Sequence, residues 1–272
     1  MYLRFRLELL INLSMISLLR NLFLLLILFT SCQTPSSNLV DKIIQQSNAV
    51  YGFDNQEYKI EFDFRDYHYV LERNQGFYSY SRQTTKEEKK IIDLMTSVDK
   101  LQRFENDNLV VLKDSIRKLY SNSLNSVMYF FQLPRPLQDP AVNAELLNSV
   151  EIEGHSYWTI KITFDQEGGG DDFQDEFRYW ISKKNYQIDY LAYNYLTDGG
   201  GTRFRKSKNL REQLGFLFQD YINYKSEVKF QPLDSLPIFF EQGKLMELSQ
   251  IENKNIEVQR KKFFHPVFPL PF

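Results

Sequence analysis

The sequence has only one cysteine and three histidines, and each scarcity excludes a class of chemistry. A single cysteine, Cys32, forms no intramolecular disulfide and no multi-cysteine metal site, so the fold must be held by its hydrophobic core. His68, His155 and His265 lack the spacing of metal ligands, so we expect structural histidines and no metal. A formal net charge of −2 gives no reason to expect a nucleic-acid partner.

Long apolar runs are equally scarce, and the conspicuous one, residues 22–29, ends two small residues before Cys32. It is shorter than the roughly 20 residues that a membrane span needs. Arginines before it, together with its length and ending, are typical of a secretory signal. The cysteine at the cleavage point resembles the lipobox of bacterial lipoproteins, which implies a diacylglycerol on the Cys32 thiol. We therefore predict a signal peptide over 1–31; an uncleaved anchor is the alternative, and translation could begin at Met1 or Met15.

Aromatic residues make up 15% of the chain and recur in alternating segments, which favours sheets. Residues 58–65 alternate between apolar and charged side chains, which predicts a half-buried strand. An apolar stripe predicts an interior helix over Asp114–Phe131. Turn signals at close intervals after Val150 predict an antiparallel meander. Further predictions are helices at 38–49, 140–147 and 236–242, strands at 67–73, 76–82 and 255–259, and a loop or solvated helix start at 84–90.

Two glycine runs are the conspicuous motifs of the predicted meander. They are wide hairpin loops in the simplest interpretation. Because a hairpin over 173–196 would place both at one sheet edge, the alternative is a shared polar site. Neither run fits a phosphate-binding fingerprint, since strand-like sequence follows each, and no cofactor is predicted. The residues of this possible loop site are Glu167, Gly168, Gly169, Gly170, Asp171, Asp172, Asp175, Gly199, Gly200, Gly201, Arg203 and Arg205.

Several segments together resemble a known family, among them residues 62–65, 78–82, 120–127, 163–170, 189–193, 199–205 and 248–252. The chain is similar over almost all of its mature length to an uncharacterised family of Bacteroidota envelope proteins, often lipoproteins, known only as a domain of unknown function. A looser resemblance is to the fold of outer-membrane lipoprotein-sorting proteins. That resemblance implies a strongly curved antiparallel sheet, an incomplete barrel, whose hydrophobic cavity is closed by helices.

Taken together, these patterns predict one α+β domain over residues 38–259, with an N-terminal helix and a helical layer over the concave face of a curved antiparallel sheet. A tether at 32–37 precedes it and a flexible tail at 260–272 follows. The absence of an acidic run after Cys32, by resemblance to export signals of that phylum, favours the periplasmic face of the outer membrane. Nothing in the sequence indicates the oligomeric state.

The function we expect is non-enzymatic binding of an apolar ligand, a lipid or acyl chain, by a lipid-anchored envelope protein. The expected lining is mostly aromatic, with the interior helix as a lid: Phe62, Phe64, Tyr78, Tyr80, Leu124, Met128, Phe131, Trp158, Phe177, Tyr179 and Tyr193. One alternative is an enzyme acting on an envelope glycan or sugar at the glycine loops, which would need acids of raised pKa in a cleft. Another is an interaction module of an envelope complex, which would need an exposed apolar patch.

Overall fold

The structure is a computed structural model that describes residues 35–53, 57–74, 76–97, 100–168, 170 and 173–260. Cys32, the predicted signal peptide and residues 261–272 of the predicted tail lie outside this part. The pattern of contacts divides the chain after Asn38, and the side-chain description below concerns residues from Leu39 onward. No helix among the described residues has both the length and the apolarity needed to cross a membrane.

The described residues form three α-helices and fifteen strands. The helices are α1 (Pro35–Tyr51), α2 (Asp114–Phe131) and α3 (Leu236–Glu241). The strands are β1 (Tyr58–Phe64), β2 (Tyr67–Asn74), β3 (Phe77–Lys86), β4 (Lys89–Thr96), β5 (Gln102–Glu105), β6 (Asn108–Val110), β7 (Val142–Leu146), β8 (Val150–Ile152), β9 (His155–Phe164), β10 (Glu176–Ser182), β11 (Ile188–Tyr195), β12 (Gly201–Gln213), β13 (Phe216–Lys225), β14 (Met246–Ile251) and β15 (Lys254–Arg260).

All strand pairs that the structure describes are antiparallel, and they build two sheets. Sheet one has the order β15-β1-β2-β3-β4-β5-β6, so a meander of six strands is completed by the late strand β15. Sheet two has the order β14-β13-β12-β11-β10-β9-β7, and β8 pairs with β9 beside that path. Among the described residues, the first and last strands of each sheet do not pair with each other, so both sheets are open. The predicted α+β class with antiparallel sheet is confirmed, with the strands shared between two sheets.

Strand β1 illustrates how the sequence pattern places the core. Tyr58, Ile60 and Phe62 are fully buried, and the residues between them are half-buried, as a period of two requires. The first hydrophobic core joins these residues to the neighbouring strands of sheet one, to Leu124 and Met128 of α2, and to aromatic residues of β13. Burying each of the two α2 side chains contributes about 1.5–3 kcal/mol to folding.

Sheet two is covered on both faces. One face packs against α1, through Val40, Ile43 and Ile44, and against the end of α2; this is the second core. The opposite face, with Trp180 and Phe204 among its buried residues, packs against α3 and the turn before it; this is the third core. Strands β10 and β11 therefore lie between two apolar layers, which explains why large hydrophobic residues occur on both faces of these strands.

The predicted elements agree with the structure at the long, periodic segments. Helix α2 is confirmed at its predicted bounds, Asp114–Phe131, and the hairpin of β1 and β2 is confirmed. Helix α1 is longer than predicted and begins at Pro35, within the predicted tether. The short helix predicted at 236–242 is α3.

Two local predictions were wrong. Residues 84–90 are neither loop nor helix start: they end β3, turn at Glu87 and Glu88, and begin β4. Both turn residues have positive φ, 49° and 64°, a conformation usually signalled by asparagine or glycine. The helix predicted at 140–147 is strand β7, because pairing with β9 outweighs a weak helical preference.

Candidate functional site

A cleft of about 260 Å³ lies between helix α2 and sheet two, with the β1–β2 turn at its mouth. Seven of its thirteen lining residues are polar, so it is an amphipathic cleft and not a purely apolar cavity. The lining residues are Phe64, Arg65, Ser123, Ser126, Val127, Phe130, Phe131, Arg205, Tyr221, Asn223, Ser249, Ile251 and Asn253.

The sheet wall of the cleft is a polar row that crosses three strands. Arg205 of β12 is in register with Asn223 of β13, and Asn223 is in register with Ser249 of β14. The Asn223 Nδ2 donates a hydrogen bond to Ser249 Oγ at 3.3 Å. Since side chains two residues apart share a face, Tyr221 and Ile251 lie beside this row and add apolar surface.

The helical wall of the cleft lies beside the stripe of α2 that enters the first core, and its Val127 also packs against that core. Ser123, Ser126, Val127 and Phe130 follow one another at intervals of three, one and three residues, which places them on one side of the helix. Leu124 and Met128 point into the first core instead. The cleft therefore depends on the helix being held between the two sheets.

Three polar contacts hold α2 in that position. Arg82 of β3 donates to Ser123 Oγ at 2.8 Å, on the side of sheet one. The amide of Gln132, directly after the helix, donates to the Tyr80 hydroxyl at 3.1 Å. On the side of sheet two, the hydroxyls of Tyr129 and Tyr179 are 2.8 Å apart. These contacts make α2 a fixed core helix that also forms one wall of a cleft.

Arg205 brings a positive charge into the cleft. Its guanidinium carbon lies 3.9 Å from the centre of the Phe130 ring and 5.3 Å from that of Tyr193. Its Nη2 donates to the Tyr193 hydroxyl at 2.8 Å. Burial raises the pKa of the neighbouring Tyr221 phenol to about 12, although a hydrogen bond with Gln219 and the charge of Arg205 oppose the rise. Tyr221 is thus a neutral phenol at ordinary pH.

Of the eleven predicted lining residues, two reach the cleft. Phe64 and Phe131 line it. Phe131 is stacked on Phe62, with ring centres 3.8 Å apart, so much of the predicted aromatic lining is packed core. Phe62, Tyr78, Tyr80, Leu124 and Met128 belong to or pack against the first core, and Trp158, Phe177, Tyr179 and Tyr193 belong to or pack against the second.

The described glycines of the two runs lie at one end of sheet two, because Glu176, at the start of β10, pairs with Asn194, near the end of β11. The second run packs against protein. Gly200 has φ 70°, and a Cβ added there would lie 2.4 Å from the Phe230 ring. The Lys229 ammonium donates to the Gly199 carbonyl at 2.7 Å. Close packing against Phe230 thus accounts for Gly200.

The remaining residues of the predicted loop site do not form one cluster in the described part. Glu167 is exposed, Asp175 is buried, and Arg203 stacks on Tyr195 at 4.9 Å. Arg205 belongs to the cleft. Gly168 and Gly170 are both exposed, Gly201 begins β12, and Gly169, Asp171 and Asp172 lie outside the described residues. The glycan-enzyme alternative therefore stays a prediction.

The two described histidines occupy ordinary structural positions. His155 Nδ1 hydrogen-bonds the Glu153 carbonyl at 3.0 Å. His68 of β2 lies between Asp63, at 2.8 Å, and Glu61, at 3.2 Å. Partial burial disfavours the charged ring, but the two carboxylates outweigh it and raise the pKa of His68 above 6.5. His265 lies outside the described residues.

Sequence reasoning missed most of the polar residues of the cleft. Asn223, Ser249 and Asn253 were not singled out, and Arg205 was assigned to the glycine-loop site. One signal was available in β13. Gln219, Tyr221 and Asn223 alternate along the strand and so lie on one face, and two of these three residues are polar, whereas an ordinary core face would be apolar. The register that brings Arg205 beside Asn223 cannot be read from either strand alone.

The family model described as a family of unknown function, DUF6503, matches residues 19–253. The chain therefore belongs to this family, in agreement with the resemblance to a domain of unknown function. No curated protein matches the sequence.

Several solved structures resemble the chain at low sequence identity. A LolA superfamily protein from Nitrosomonas europaea has 13% identity and a TM-score of 0.45, over 80% of this chain and 92% of that one. A domain classed as an outer membrane lipoprotein-sorting protein, from Vibrio parahaemolyticus, has 7% identity and a TM-score of 0.42, over 81% and 93%. A DUF1329 family protein from Desulfovibrio piger has 8% identity and a TM-score of 0.38, over 80% and 92%.

Proposed function

We propose that this protein is a lipid-anchored envelope protein that binds a single apolar chain in the cleft between α2 and sheet two. The observation that supports binding is the cleft itself, which presents Val127, Phe130, Phe131 and Ile251 beside open space. Ligand pockets typically enclose about 300–1,000 Å³, so a cleft of about 260 Å³ suits one chain and not several. The cargo we propose is therefore one acyl or alkyl chain.

The proposed anchor rests on the sequence. Cys32 follows the short apolar run, and two or three acyl chains on it, at about 0.8 kcal/mol per buried methylene, would hold the protein on the membrane permanently. A periplasm-facing outer-membrane location and a Bacteroidota origin belong to the same proposal. A full-length Cys32→Ser variant should leave the membrane fraction and remain folded; retention after washing would contradict the anchor.

Blocking the cleft tests the proposed binding. Ser126 is an exposed residue of α2 on the cleft wall, so Ser126→Trp should fill the cleft without disturbing the first core. Asn125 is equally helical and exposed but does not line the cleft, so Asn125→Trp is the matched control. We expect non-covalent lipid to co-purify with the wild type and with Asn125→Trp, and to be lost from Ser126→Trp. Mass spectrometry of organic extracts measures it; a wild type without lipid would contradict the proposal.

A further inference from the structure

We infer that the chain bound in this cleft carries an anionic headgroup, a carboxylate or a phosphate, and that Arg205 is the residue that binds it. This inference rests on the proposed function and names the class of its ligand. It begins from the charge of Arg205, which forms no ion pair with a carboxylate of the described residues.

Three arginines are buried among the described residues, and two of them have carboxylate partners. Arg82 Nε lies 2.8 Å from Asp93 Oδ2. Arg178 Nε lies 2.7 Å from Asp234 Oδ1, and its Nη1 lies 3.0 Å from Glu176. Arg205 exposes only 8% of its surface, yet no carboxylate of the described residues forms an ion pair with it. A buried charge is costly unless it is paired, so the unpaired one requires an explanation.

The surroundings of Arg205 leave its hydrogen-bonding capacity largely unused. A guanidinium has five N–H donors, and the hydrogen bond found among the described side chains is the one to the Tyr193 hydroxyl. The Nε is buried and has no partner there. The rings of Phe130 and Tyr193 attract the cation through their faces but cannot accept the in-plane N–H groups. These donors are suited to the oxygens of a carboxylate or phosphate.

A second unsatisfied group lies next to Arg205 in the polar row. The Oδ1 of Asn223 is buried without a hydrogen-bond partner in the described part of the protein. The unpaired Arg205 Nε–H is a donor and the unpaired Asn223 Oδ1 is an acceptor. Together they fit a headgroup that both accepts and donates hydrogen bonds, such as a phosphate with a free hydroxyl or a glycerol phosphate. The exposed Arg65, at the mouth of the same cleft, adds a second positive charge. The apolar residues of α2 then face the chain that follows the headgroup.

The experiment compares ligands of one chain length and different headgroups. The full chain is placed in nanodiscs and titrated with decanoate, decyl phosphate or decanol, and native mass spectrometry counts the ligands that the protein holds. We expect decanoate or decyl phosphate to bind about tenfold or more tightly than decanol, the factor expected for one charge-assisted hydrogen bond. The two anions separate carboxylate from phosphate recognition.

Substitutions connect any preference to Arg205. Arg205→Gln should abolish the preference for anions and keep decanol binding, and Arg205→Lys should keep part of the preference. Arg203→Gln is the matched control, because Arg203 lies two residues away on β12 and does not line the cleft. Equal binding of decanol and the anions by the wild type would overturn the inference and leave the proposed function standing. Failure to bind any of the three would overturn both, and an anion preference that survives in Arg205→Gln would overturn the role of Arg205.

If Arg205→Gln does not fold, the comparison of headgroups on the wild type and on Arg205→Lys still decides the matter. A lysine keeps the positive charge but lacks the planar fork of donors. A wild-type preference that Arg205→Lys weakens supports the inference. A wild-type preference that Arg205→Lys leaves at full strength overturns recognition by the guanidinium of Arg205.

Discussion

Replacing Arg205 by methionine should leave the unfolding free energy of the ligand-free protein unchanged or raise it, whereas the same change at Arg82 should lower it. Both arginines are buried, and methionine keeps much of the side-chain length in each case. They differ in their partners. Arg82 bonds Asp93 and Ser123 at 2.8 Å each, and Arg205 bonds a tyrosine hydroxyl.

The expected magnitudes follow from these contacts. Removing Arg82 breaks a buried ion pair, which costs about 3–5 kcal/mol, toward the lower end here because Arg103 still binds Asp93. Removing Arg205 loses one hydrogen bond, about 1 kcal/mol, and a cation–π contact of up to about 2 kcal/mol. It also removes an uncompensated desolvation penalty of about several kcal/mol, so the net change should be zero or favourable.

Urea unfolding, followed by the fluorescence of Trp158 and Trp180, measures both variants. A fall of about 3 kcal/mol or more for Arg205→Met, matching that for Arg82→Met, would refute the reasoning and make Arg205 a structural residue. An unchanged or more stable Arg205→Met protein that has lost its preference for anions would show that stability is sacrificed for binding at this position.

Two further predictions concern other parts of the molecule. Since the folded-state pKa of His68 lies above 6.5, the stabilising contribution of this side chain is full below that value and is lost as pH rises through the folded pKa. NMR titration of the ring should show this raised pKa, and a lower pKa in Asp63→Asn. A wild-type pKa at or below 6.5 would contradict the role of Asp63 and Glu61. Gly200→Ala should lower the unfolding free energy by about 1–3 kcal/mol, and by more than Gly243→Ala does. Both glycines have positive φ, but of the two only Gly200 lacks space for a Cβ. Equal melting temperatures of the two variants would contradict this prediction.

The sequence predicts the fold best where one face of an element is buried. The bounds of α2 and the strand β1 follow from periodicity alone, since Leu124, Met128 and the alternating residues of β1 are buried at the expected positions. Strand β4 was missed because its turn uses two glutamates at positive φ, and β7 was missed because its pairing with β9 is decided by tertiary contacts.

The cleft was harder to predict than the fold. The interior helix was predicted as a possible lid over a cavity, and a cleft does lie along it, but the polar wall depends on the register of three strands. The glycine runs attracted attention because glycine is conspicuous in a sequence, whereas an arginine in a strand is not. What marks Arg205 is its burial without a carboxylate partner among the described residues, and that property exists only in three dimensions.

The place of β15 in sheet one has a consequence for biosynthesis. Strand β1 pairs with β2 on one side and with β15, some of the last described residues, on the other. During synthesis from the N-terminus, β1 therefore presents an open edge until Lys254–Arg260 has emerged, and α1 likewise waits for strands β9 to β11. Contacts of such high sequence separation make folding slow and expose edges to aggregation, so this chain should depend on a holding chaperone more than a protein built of local hairpins.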